Sequence, residues 1–216
     1  MTRGFDFLVA LTLLVILAPL LLAISLAVRL TSPGPALFQQ LRVGRDGAAF
    51  RILKFRTMAA NPDEPGARLT SKADPRITAL GRTLRALKLD ELPQLLNVLR
   101  GEMGLIGPRP EDPHFVAHYS PQQRRVLTVR PGILGISQIV GRNEEDEYPE
   151  AVEDLDAYYI ANILPPKLAR DLAYIDSRSF LGDLELLVRG AWAVVSGRAP
   201  EERDPPAPAG RTQRAD

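Results

Sequence analysis

At 216 residues and 23.7 kDa, with a formal net charge of +1, the chain suffices for one domain with an appendage and is too nearly neutral for a bulk nucleic-acid binder. It has no cysteine, which excludes disulfides, thiolate zinc ligands and a thiolate nucleophile, and which fits a reducing compartment. The average hides a gradient: residues 1–110 carry +7 and residues 111–216 carry −6, so the front half suits phosphate-rich ligands or an anionic membrane surface.

The first element is FLVALTLLVILAPLLLAISLAV, 22 uncharged residues from Phe7 to Val28. As a helix it is roughly 33 Å long, about the thickness of a bilayer's hydrocarbon core. A secretory signal has a shorter apolar region followed by a small-residue cleavage site, and a buried core helix has a polar stripe; the run has none of these. Pro19, at its middle, lacks an N–H and its ring predicts a kink. A kinked helix either spans the bilayer or turns and leaves on the side it entered. Arg3 flanks one end, while Arg29, Arg42, Arg45, Arg51, Lys54 and Arg56 follow the other. Positive charge at both ends favours the cytoplasmic side, but a three-residue tail can cross, so the residues leave both geometries open.

Thr31–Met58 begins with a Pro/Gly turn, and two extended runs flank Asp46-Gly47, the signature of a hairpin. NPDEPGA reads as a loop. Arg76–Lys88 reads as an amphipathic helix with Ile77, Leu80, Leu84 and Leu87 on one face and Arg82, Arg85 and Lys88 on another. Leu92, Leu95, Leu96 and Leu99 keep helical spacing up to Gly101. The Pro/Gly-rich VRPGILGISQIVGRN follows, then eight carboxylates between Glu144 and Asp156, read as a solvated face. Helices are expected around Leu155–Arg170 and Asp183–Val195, with Asp183 capping the second and Trp192 against the domain or the lipid headgroups. Residues 199–216, rich in Pro, Arg, Glu and Ala, read as a disordered tail.

The chemistry concentrates in LKLDELPQLLNVLRGEMGLIGPRP, Leu87 to Pro110. Proline is tolerated in a first helical turn, so Pro93 starts a helix at or just after Asp90 and sets Asp90 and Glu91 at its N-terminus. Taken alone, the pair is a cap and a dipole-compensating charge. The same place also favours bound phosphate, and adjacent residues point about 100° apart, so two carboxylates can divide two tasks. Downstream, Pro108 and Pro110 restrict Arg109 on both sides, and a preorganised guanidinium suits a pair of phosphate oxygens. Read alone, this is a surface arginine in a stiff loop. Together these parts form a phosphoryl-transfer site: one carboxylate attacks phosphorus and the other holds Mg²⁺, with basic groups offsetting phosphoryl charge. His114 and His118 read as structural or surface residues, and Tyr158-Tyr159 as core rather than a uridine platform. Arg142-Asn143 is open between nucleotide contact and loop. There is no P-loop and no row of aromatics over a basic groove, so no nucleic-acid partner is expected.

Four segments, SPGPALFQQLRVGRDGAAFRILKFRTM, LRALKLDELPQLLNVLRGEMGLIGPRP, RPGILGISQIVGRN and SFLGDLELLVRGAWAVV, resemble, in order, those of the monotopic phosphoglycosyl transferases. These are the bacterial sugar transferases that begin surface-glycan assembly on polyprenyl phosphate. The resemblance implies an α/β fold, mainly helical with a small β-hairpin or sheet, divided into a re-entrant membrane anchor (1–30), a cytosolic catalytic domain (31–198) and the tail (199–216). It implies transfer of a sugar 1-phosphate from a UDP-sugar to undecaprenyl phosphate, with UMP released through a covalent aspartyl intermediate, on the cytoplasmic face of the bacterial inner membrane. Asp90 matches the nucleophile and Glu91 its Mg²⁺-binding partner; Arg85 and Arg109 match arginines near the phosphates, and Lys54 and Arg56 a further basic pair. The accepting phosphate monoester is already ionised, so no general base is required. The family often has Ser-Pro at the helix break; here Ala18-Pro19 leaves the break to Pro19. The partners implied are the UDP-sugar, polyprenyl phosphate and the lipid bilayer, with a homodimer left open. Two rival readings are a glycosyltransferase that releases UDP and a non-catalytic scaffold in which Asp90-Glu91 merely caps a helix.

Overall fold

A helix apolar on every side must find an apolar surface for every side. In the computed structural model, which describes residues 1–59, 74–137 and 154–196 (backbone alone for 193–196) with Leu69 and Tyr148, helix α1 (Arg3–Thr31) satisfies only one. Asp6, Ala10, Ile24 and Val28 are buried, and Leu14 and Leu21 pack beside them, a stripe at helical spacing along the domain. Leu8, Val15, Ile16, Leu22, Leu26 and Leu30 stay exposed on the rest. The helical backbone continues through Pro19, so the bend expected there does not divide the segment.

The expected hairpin forms. Strands β1 (Leu37–Val43) and β2 (Ala49–Phe55) pair antiparallel from Leu37 opposite Phe55 to Val43 opposite Ala49, and the turn places Asp46 (φ 57°) and Gly47 (φ 79°) in the left-handed region. Directly opposite residues share a face, so Phe38, Gln40 and Arg42 line up with Lys54, Ile52 and Phe50. Helix α2 (Ala79–Ala86) is capped by Thr78, whose Oγ1 accepts from the Gly81 N–H (2.9 Å). It is shorter than its periodicity predicted. Lys88 turns left-handed (φ 56°), which leaves Leu87 exposed and leads into a 3₁₀ turn, Leu89–Glu91.

Helix α3 (Gln94–Arg100) ends at Gly101 in the left-handed region (φ 86°), as the sequence predicted. Its buried surface is wider than the leucine stripe: Gln94 and Asn97 are buried as well as Leu95 and Val98. Beyond it, β3 (Gly104–Ile106) leads through α4 (Pro113–Ala117) and a 3₁₀ turn to β4 (Gly132–Leu134), which pairs parallel to β3. This second sheet was not foreseen. Its strands approach so closely beyond Ile106 that a Cβ on Gly132 would lie 2.1 Å from the Gly107 nitrogen.

A long helical run follows: α5 (Leu155–Tyr158), a π turn over Tyr159–Ile163 and α6 (Leu164–Ser177). Pro165 and Pro166 lack N–H groups and their rings crowd the carbonyls four residues back, which a widened turn relieves. In α7 (Phe180–Ser196) the cap is Ser179, whose Oγ accepts from the Gly182 N–H (3.1 Å). Asp183 is not the cap; it is fully buried and receives Tyr174 Oη (2.5 Å), Arg178 Nε (3.2 Å) and the Met1 amino group. One core joins α1, β2, α3, β3 and Tyr174 of α6; a second joins Phe115, Val126, Tyr159 and Leu168; a third seats Ile24 and Val28 of α1 on Phe55 and Leu84.

Candidate active site

The left-handed step at Lys88, costly for a residue with a side chain, aims the next turn at strand β2. Glu91 there receives Lys54 Nζ on Oε1 (2.9 Å) and Arg109 on both oxygens, at 2.7 Å to Oε1 and 3.4 Å to Oε2. The glutamate side chain is 14% exposed, so these are charge-assisted bonds in a largely dry place. Burial alone would raise the Glu91 carboxyl, yet Arg109 and Lys54 together hold it well below the usual glutamate range. Burial likewise lowers Lys54 below the usual lysine range, with Glu91 opposing it.

Asp90 has the opposite environment. It is buried, and its Oδ1 has no hydrogen-bond partner among the described residues. Burial, and then the Glu91 charge, push its carboxyl above the usual aspartate range, while Lys54, Arg85 and Lys88 draw it back. The adjacent carboxylates are thus chemically unlike. One is caged by two cations; the other offers an unengaged oxygen.

The remaining expected site residues divide. Arg85, from the end of α2, donates Nε to Thr57 Oγ1 (3.0 Å) and acts electrostatically on Asp90. Arg56 is used elsewhere: its guanidinium bonds the carbonyls of Pro33 (2.6 Å) and Ser32 (2.7 Å), with Val28 at 3.4 Å, at the end of α1. Pro19 lies on α1 and not with these groups. The rings of His114 and His118 meet edge to face at 5.3 Å, with His114 Nε2 3.7 Å from Asp156 Oδ2, and Tyr159 is in the second core. Arg142-Asn143, residues 144–147 and 149–153 of the acidic run, the 61–67 loop and the tail lie outside the described residues.

Two sets of residues escaped the sequence reading. Asn97 joins α3 to β2: its Oδ1 accepts from the Leu53 N–H (3.1 Å), and its Nδ2 donates to the Arg51 carbonyl (2.8 Å) and Glu102 Oε2 (2.7 Å). An amide at a helix position surrounded by leucines was the available signal. Arg42, Glu111, Tyr159 and Lys167 form a second buried cluster beside Arg109. Glu111 directly follows Pro-Arg-Pro, but its partners are distant in sequence.

The donors present suit a hard divalent cation. Asp90 Oδ1 is unengaged and Glu91 Oε2 takes only the longer Arg109 contact. Among the described residues no cluster of three His, Asp or Glu side chains forms, so an ion held here would complete its shell with ligands other than these side chains.

The model of a family described as bacterial sugar transferase matches residues 1–197. The chain is 42% identical over 193 residues to UDP-glucose:undecaprenyl-phosphate glucose-1-phosphate transferase of Caulobacter vibrioides, covering 87% of this chain and 67% of that one. It is 42% identical over 164 residues to UDP-N-acetylgalactosamine-undecaprenyl-phosphate N-acetylgalactosaminephosphotransferase of Aeromonas hydrophila, covering 74% and 39%. With exopolysaccharide production protein ExoY of Sinorhizobium fredii it shares 36% identity over 211 residues, covering 91% and 86%. The chain therefore spans well under half of the Aeromonas relative and most of the Sinorhizobium one.

Proposed function

We propose that this chain, which belongs to the bacterial sugar transferase family, transfers a sugar 1-phosphate from a UDP-sugar to undecaprenyl phosphate and releases UMP. The observation that carries the reading is the division between Asp90, with a buried and unengaged oxygen, and Glu91, clamped by Lys54 and Arg109. An Asp90 oxygen attacks the sugar-linked phosphorus, the bond from that phosphorus to the bridging oxygen breaks, and UMP leaves with that oxygen. The lipid phosphate oxygen then attacks the same phosphorus and restores the Asp90 carboxylate. Glu91 keeps Lys54 and Arg109 at the site, where their N–H groups can turn to phosphoryl oxygens as charge develops. The raised Asp90 carboxyl makes a more basic, hence better, oxygen nucleophile once ionised. Mg²⁺, which Glu91 would hold beside the Asp90 nucleophile, would supply the charge neutralisation that lets an anionic nucleophile approach a diphosphate.

Membrane attachment belongs to the same proposal. Helix α1 is long and apolar enough to cross a bilayer, yet both its ends rest on one domain. At the start, Arg3 caps α3 by donating to the Leu99 carbonyl (2.8 Å); at the end, Arg56 grips the carbonyls of Ser32 and Pro33. That supports an anchor whose two ends stay on the cytoplasmic side, with the outer apolar face of α1 in lipid.

The test is Asp90→Asn in the purified, lipid-embedded chain with a UDP-sugar and undecaprenyl phosphate. The unaltered protein is expected to release UMP and to form a labelled adduct on Asp90, and the variant to do neither. Release of UDP in place of UMP, or full turnover by the variant, overturns the proposal.

A further inference from the structure

Two residues beyond the arginine of the site, Glu111 turns its carboxylate into the second core. It is only 6% exposed. Its Oε1 accepts from Lys167 Nζ (2.5 Å) on α6 and from Tyr159 Oη (2.8 Å) in the π turn, and Lys167 also donates to Tyr159 Oη (2.7 Å). Arg42 of β1 brings a guanidinium nitrogen to 3.8 Å from Oε2, and the Glu111 carbonyl accepts from the Val43 N–H (3.0 Å). Three separate parts of the chain converge on one buried carboxylate.

Stability is a weak reason for such a cluster. Removing two ions from water costs several kcal/mol each, and apolar side chains of similar volume commonly hold a fold as well or better. What charges add is a single permitted geometry. The segment after β3 has need of one: residues 107–112 are irregular, and Pro108 and Pro110 have no N–H to give. Gly107 N to the Leu134 carbonyl and Gly132 N to the Pro108 carbonyl (both 3.0 Å) fix its start, and the Glu111 contacts fix its end. Arg109 stands between the two fastenings.

We propose that Lys167, Tyr159 and Arg42, acting through Glu111, are positioning residues that hold this segment so that the Arg109 guanidinium meets Glu91. The proposal rests on the reading of the site given above, since it assigns the cluster a part in placing a phosphate-facing cation.

The decisive variant replaces the whole cluster with apolar groups, so that no charge is left buried without its partner: Arg42→Leu, Glu111→Leu, Tyr159→Phe and Lys167→Met together, in the full chain in lipid nanodiscs. Its melting temperature is expected to be no lower than that of the unaltered protein. Its kcat for UMP release is expected to fall about 10- to 100-fold, the scale of a misplaced catalytic group, with a smaller change in UDP-sugar KM. The ¹⁵N-guanidinium signal of Arg109, sharp while the group is locked on Glu91, should broaden. A stable quadruple variant with unchanged kcat and an unchanged Arg109 signal overturns the proposal. Tyr159→Phe alone keeps every charge and provides a milder probe, expected to show the same broadening to a lesser degree; no change in signal or rate there also overturns it. Should the unaltered protein release no UMP, the functional reading fails, and the Arg109 signal by itself decides the positioning claim.

Discussion

Asn97→Ala removes a fully buried amide that no sequence motif marked, and its cost can be worked from its partners. The Leu53 N–H and the Arg51 carbonyl lose their bonds to the side chain, and Glu102 loses a donor. A buried group left unmade costs about 1–3 kcal/mol. The Leu53 N–H should take the upper part of that range, whereas Arg51 and Glu102 lie nearer water and should take less. With the small cavity added, a loss of about 3–5 kcal/mol is expected, a large share of the roughly 5–15 kcal/mol available to a domain. Urea titration in lipid nanodiscs, followed by circular dichroism, measures it. The functional consequence is separable: Asn97 joins the helix that follows the carboxylates to the strand that carries Lys54, so UMP release should fall even at temperatures where the variant is folded. A variant within about 1 kcal/mol of the unaltered protein, with unchanged turnover, refutes the claim that this amide sets the spacing between α3 and β2.

Asp171 is buried and its carboxyl is pushed up to about 6 by that burial. The folded chain therefore holds a proton that the unfolded chain releases near pH 4, so stability falls as pH rises from about 4 to 6, by about 3 kcal/mol in all. Asp171→Asn should flatten that decline, seen as a smaller drop in melting temperature between pH 4.5 and 7.5; an unchanged slope counts against it. For the anchor, the absence of native cysteine allows single cysteines at Thr2 and Thr31 to be labelled from either side of a vesicle. Both should react from the same side, and labelling from opposite sides would eliminate the re-entrant reading.

The parts legible in the sequence are those whose causes lie within a few residues. A charge-free run long enough for a bilayer, a hairpin turn at Asp46-Gly47, a helix stopped by Gly101 and an arginine stiffened between prolines all depend on chain neighbours alone, and each appears in the structure. What neighbours cannot set is the surroundings of a charge. Asp90 and Glu91 are adjacent and equal on paper, but Lys54, 37 residues from Glu91, and Arg109 cage only the second. Lys54 and Arg56 read as a pair; β2 ends at Phe55, and Arg56 turns to the end of α1 instead of the carboxylates. Glu111 meets Lys167 across 56 residues. Desolvation and pairing depend on which groups share a small volume, and only the packed chain brings those groups together.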